Sequence, residues 1–217
     1  MPELNFEVRG AEIAPFTATP TLIFKLHIAN IALSQEPIYS ILLRCQIQIA
    51  APHRRYGPSA QARLLEVFGT PERWQTTLHP LLWTQVSLVV PQFSEQTLID
   101  LPILCTYDLD VVSTKYFNAL EEGNIPLTFL FSGTIFYENQ EGNLQIQQIP
   151  WSQEASFSLL VTLWQEMIAS YYPQSSWLRL RKDVLDQLQQ YKAKHGFPSW
   201  EEALGHLLQA SNEEVRS

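Results

Sequence analysis

Three side chains able to do acid–base or nucleophilic work fall within one short stretch, "CTYDLDV", where Cys105 stands near Asp108 and Asp110 and the two carboxylates share a strand face. Paired carboxylates act as acid and base when burial pushes their pKa values apart. The alternative is a polar strand end entering a turn, where Asp is favoured because its side chain bonds the nearby backbone. No His or Lys is placed by spacing to complete a site. His27, His53, His79, His195 and His206 show no metal-ligand spacing, and Cys45 and Cys105 form no C-x-x-C pair. The phosphate-loop, dinucleotide, nucleophile-elbow and zinc-protease motifs are absent, and the eight glycines sit at helix ends and turns. The expectation is no catalytic residue, no metal and no cofactor. An enzyme here would need a site assembled from distant segments.

Charge narrows the partners. The net charge is −8, and residues 74–178 carry ten acidic groups against one basic, whereas residues 44–73 carry five basic and two acidic. A mostly acidic surface repels phosphate backbones, so nucleic acid and anionic membrane are disfavoured partners. The exception is the arginine-rich stretch, with Arg44, Arg54, Arg55, Arg63 and Arg73. Planar guanidinium forks suit carboxylates and phosphates. These five are the candidates for binding an acidic segment of another protein. Alternatively, they pair with the acidic 74–178 segment inside the fold and hold the helix at 59–68 against a sheet.

The elements that must position these residues are mainly strands. "LNFEVRGAEI", "TLIFKLHIAN" and "PIYSILLRCQIQIA" are rich in apolar, β-branched and aromatic residues. In "RCQIQIA", Cys45, Ile47 and Ile49 share one face and Arg44, Gln46 and Gln48 the other. "PSAQARLLEVFG" reads as a helix with Ser59 as cap and Gly69 as terminator, and "STKYFNALEEG" as a second short helix. "LLWTQVSLVV", "TLIDLPILCTYDLDV", "LTFLFSGTIFY" and "NLQIQQI" are strands, the last two joined across "ENQEGN". From "SLLVTLWQEMIASYYP" onward the pattern is helical, with Leu160, Leu163, Trp164, Met167 and Ile168 on one stripe. The fold class is α+β: a mainly antiparallel sheet, sandwich or curved meander, over residues 1–158, with a helical region at 159–217 whose three helices pack on it.

With two cysteines, no signal-peptide pattern and no apolar run of about 18 residues, a cytoplasmic protein with free thiols is expected. In the tail, "WLRLR" reads as a short strand with Arg179 and Arg181 on one face, followed by two helices. The second helix opens on a capping box, Ser199 to Glu202, and carries Trp200, Ala203, Leu204, Leu207 and Leu208 on one face. Trp200, Leu204, Leu207 and Leu208 are the candidates for a homo-oligomer interface.

This layout over residues 177–208 resembles the ribbon-helix-helix repressors, which would make Arg179 and Arg181 base readers. The zero net charge of the tail and the outward Glu201 and Glu202 oppose that role. The order of strands, "YYP", long helix and "GFP" resembles the export chaperone SecB over residues 171–198, which would imply an acidic holdase. Over nearly the whole chain, "PELNFEVRGAEI", "RRYGPSAQARLLEVFGTPERW", "LPILCTYDLDVVSTKYFNALEEGNIPLTFLFSGTIFY" and "WLRLRKDVLDQL" resemble an uncharacterised bacterial domain-of-unknown-function family, with members near nickel-iron hydrogenase genes. That resemblance implies a pathway without a mechanism. The function expected is a non-enzymatic, protein-binding accessory or assembly factor, with a hydrogenase system as its setting.

Overall fold

Apolar side chains at every second position, bounded by turn residues, set eight strands among the described residues. They are β1 (Leu4–Ile13), β2 (Thr21–Asn30), β3 (Ile38–Ile49), β4 (Leu81–Val90), β5 (Gln96–Leu104), β6 (Asn124–Glu138), β7 (Leu144–Gln148) and β8 (Glu154–Leu160). The helices are α1 (Pro58–Arg63), α2 (Leu65–Phe68), α3 (Trp74–Thr77), α4 (Val112–Asn118), α5 (Val161–Tyr171), α6 (Lys182–His195) and α7 (Trp200–Glu214). This computed structural model describes residues 1–32, 36–106, 108, 111–173, 175 and 178–214. They divide into two compact units, residues 1–177 and 178–217.

The described strands of the first unit form two antiparallel sheets. One has the order β1-β2-β5; the other has the order β4-β3-β6-β7, with β8 also paired to β6. The long strand β6 takes β8 along Asn124–Leu130 and β7 along Thr134–Glu138, both on the edge away from β3. The inner faces meet through aromatic rings. Phe6 of β1 stacks on Phe131 of β6 with centroids 4.3 Å apart, and Phe24 of β2 meets Phe129 of β6 edge-on at 5.1 Å. Each such fully buried side chain stabilises the fold by roughly 1.5–3 kcal/mol. Cys45, Ile47 and Ile49 lie in this core while Arg44, Gln46 and Gln48 face outward, as the period-2 pattern requires. Helix α5 buries Val161, Trp164, Met167 and Ile168, and Trp164 packs on Phe117 of α4, which in turn contacts Trp83 of β4.

Several local expectations change. The helix at 59–68 breaks at Leu64 into α1 and α2, and it starts from Gly57 with Pro58 in the first turn rather than from a Ser59 cap. Proline's fixed φ and missing N–H suit a first helical position, so no side-chain cap is needed. Helix α5 begins at Val161, because residues 154–160 form β8 and Leu160 ends it exposed.

The second unit is a helical hairpin. Gly196 closes α6 in the left-handed region with φ 70°, and the Glu202 backbone N–H donates to Ser199 Oγ at 3.1 Å, the expected cap of α7. Leu178–Arg181, expected as part of a strand, is irregular, and Trp177 lies outside the described residues.

Candidate functional site

The five clustered arginines separate in space. After β3 the chain makes one 3-10 turn, Ala51–His53, with Pro52 inside it, and delivers Arg54 and Arg55 in succession. Half-buried Arg54 donates Nη2 to the Glu122 carbonyl at 2.6 Å and Nη1 to the Asn124 carbonyl. Gly123, with φ 80°, sits between those two acceptors and against the guanidinium. Arg63 on α1 pairs with Glu121 of the same connection. Nearby, Lys115 Nζ bonds Glu66 at 2.7 Å, which holds the Glu66 carboxyl below its usual range. Arg54 and Arg63 therefore brace the α4–β6 connection. Arg55 faces solvent, as do Arg44 at mid-β3 and Arg73 in the turn Pro71–Arg73.

His53, Arg54, Arg55, Gly123, Asn124, Pro126 and Ser158 line an open groove of about 280 Å³. A smaller hollow of about 160 Å³ shares His53 and Ser158 and adds Thr128 and Ser156. The groove offers a free guanidinium, an imidazole, an amide and hydroxyls, a donor set suited to a carboxylate or phosphate. Thr128, Ser156 and Ser158 belong to β6 and β8, so the groove opens at one end of the outer face of the β3-containing sheet.

The other end of that face is apolar, a feature not read from the sequence. Val89 of β4 lies opposite Leu42 of β3, Leu42 lies opposite Thr134 of β6, and one step along the same face Phe136 lies opposite Ile146 of β7. Leu42 is 49% exposed, and Val89 and Ile146 are 62% exposed. Between strip and groove runs a polar ladder in which Gln85 Nε2 donates to Gln46 Oε1 at 3.0 Å. The signal was present: by period 2, Leu42 falls on the face of Arg44, Gln46 and Gln48. Its neighbours across the sheet appear only with the register.

The reactive groups are dispersed. Cys45 and Cys105 are buried, and burial pushes each thiol up to about 12. Asp108 is half-buried beyond β5, and Asp110 lies outside the described residues, so the expected carboxylate pair has no described geometry. No group of three His, Cys, Asp or Glu among the described residues is placed to hold a metal. In the second unit, the turn between α6 and α7 brings His195 and His206 to a centroid distance of 5.8 Å, with the Tyr191 hydroxyl 2.6 Å from His206 Nδ1. No described helix is long and apolar enough to cross a membrane. The oligomer candidates on α7 divide: Trp200, Leu204 and Leu208 are exposed, Leu207 is half-buried, and Ala203 is the residue of that face that is buried.

A family model matches residues 1–216, nearly the whole chain, as the strand and helix segments compared above anticipate. The chain belongs to the family of unknown function DUF6084. No curated protein matches it. Among solved structures, this DUF6084 chain is similar to the CARDB domain of a protein from Pyrococcus furiosus, at 12% identity over 73% of this chain and 92% of that one, with a TM-score of 0.29. It is also similar to a protein described as late embryogenesis abundant, at 13% identity over 73% and 71% of the two chains, with a TM-score of 0.34. Likeness at this level carries no argument about what the DUF6084 chain binds.

Proposed function

We propose that this protein is a non-enzymatic binding factor, an accessory or assembly component whose partner is another protein and whose setting is a bacterial hydrogenase system. The hydrogenase setting rests on the resemblance to a family with members near nickel-iron hydrogenase genes. The binding role rests on one observation: an apolar strip, with Val89, Leu42 and Ile146 exposed and Phe136 half-buried, occupies one end of a sheet face whose other end opens into the Arg55 groove. Exposed apolar residues that adjoin across several strands mark interaction surfaces more often than scattered ones do. The strip supplies desolvation energy, while the free guanidinium of Arg55 orients an acidic segment and raises the association rate. The partner that fits is a protein with an apolar anchor and carboxylates a sheet's length away.

The test is quantitative capture from the native organism by the wild-type chain, by Leu42→Asp with Ile146→Asp, and by Arg55→Ala. The expected result is one set of hydrogenase-related proteins lost with the double variant and made more salt-sensitive with Arg55→Ala. Equal recovery by all three proteins rejects this face as the binding surface. A consistent partner unrelated to hydrogenases rejects the setting alone.

A further inference from the structure

We infer that β4 is a self-association edge, pairing antiparallel with β4 of a second copy so that two β3-containing sheets join into one. β4 ends its sheet and pairs with β3 alone among the described strands. An unpaired edge is a template for another strand, and proteins guard such edges with charge, proline, bulges or shortness. The other outer strands carry these guards. β1 exposes Glu7, Arg9 and Glu12 and has a register shift between Val8 and Gly10; β5 carries Asp100 and Pro102; β7 spans five residues; β8 carries Glu154.

β4, "LLWTQVSLVV", has no charge, proline or glycine in ten residues. Its irregularity, opposite Ile47/Gln48, lies near its start, where Trp83 packs on Phe117. Beyond it Thr84–Val90 runs regularly. Inward-facing Val86 and Leu88 of that run remain only partly buried, so the core is incompletely covered at this edge.

The occupant is a second copy because the edge is self-complementary and neutral in an acidic molecule. A two-fold axis at Ser87, the midpoint of Thr84–Val90, pairs the whole regular run. It sets Ser87 opposite its own copy, Gln85 opposite Val89, and Val86 opposite Leu88, with apolar pairs on the inner face and no charge desolvated. On the strands next to the axis the like charges are the two Arg44 side chains, one strand further out on each side, because Arg44 lies opposite Ser87. Three strand spacings separate them by about 14 Å, beyond the Debye length of about 8 Å at physiological salt.

The experiment is sedimentation equilibrium of the full chain. The wild type should approach twice the 24.9 kDa chain mass. Ser87→Lys should weaken the dimer about tenfold or more, because it sets like charges directly opposite each other at the axis, with unchanged circular dichroism. An equimolar mixture of Ser87→Lys and Ser87→Glu should recover the dimer mass. A monomeric wild type overturns the inference. So does a dimer that resists Ser87→Lys, or one abolished by Leu204→Glu with Leu208→Glu but kept by Ser87→Lys, which would place association on α7.

Discussion

Arg54 holds the carbonyl of Glu122 at 2.6 Å from Nη2 while its neighbour Arg55 faces solvent, so adjacent arginines of one loop do different work. Replacing Arg54 by Ala removes two charge-assisted bonds to backbone acceptors. Partial solvent exposure discounts the loss to about 1–2 kcal/mol. Thermal scans should show a Tm lower by about 3–6 °C for Arg54→Ala. For Arg55→Ala the stability change should stay within about 0.5 kcal/mol. Equal effects of the two changes would remove the distinction between strut and binder.

Gly133 approaches β3 where no side chain fits. A β-carbon there would stand 2.0 Å from the Leu42 carbonyl oxygen, at a φ of 145°. Gly133→Ala must move the backbone of the central strand pair, and it should cost more than about 3 kcal/mol. In urea the midpoint should fall with the slope unchanged. A shift under about 1 kcal/mol would show that the two strands separate easily at this point.

Burial raises both thiols to about 12, so neither is a thiolate at neutral pH. Native protein should resist a thiol reagent and release two equivalents on denaturation. The pH dependence follows the same direction. The unfolded thiols ionise near pH 8.5 and the folded ones do not, so this contribution to stability is complete below about pH 8.5 and is lost as pH rises toward about 12. Rapid labelling of the native chain would contradict the burial and return a nucleophile to consideration.

Phe16 is fully exposed in the turn between β1 and β2 with φ 56°, a left-handed conformation that costs a bulky residue about 1–2 kcal/mol. Glycine adopts it without strain and loses no packing, although it is more flexible when unfolded. Phe16→Gly should therefore be neutral to stabilising by about 1 kcal/mol in chemical denaturation. Marked destabilisation would mean that the ring packs somewhere.

Much of this architecture was legible because alternation survives in the strands. Arg44–Ile49 reads its own two faces, "ENQEGN" places its hairpin with Gly142 in the turn at φ 79°, and Ser199 with Glu202 marks the start of α7. β8 was not separable, because Leu159 and Leu160 run without a polar break into the apolar stripe of α5. The role of Arg54 was hidden for another reason: its partners are carbonyls, and every residue has one. The apolar strip needed register, since Leu42, Val89 and Ile146 are unremarkable singly and become a surface only when the strands align.

The pairing of β3 with β6 has a consequence for synthesis. It joins Ile49 to Leu127 and Ile38 to Tyr137, contacts about 80 to 100 residues apart that make folding slow by topology. Synthesis from the N-terminus brings β3 and β4 out of the ribosome before β6. Through that interval one side of β3 has no strand to bind. A chaperone that shields this nascent edge would raise the yield of folded chain, and slowing translation before residue 124 would lower it.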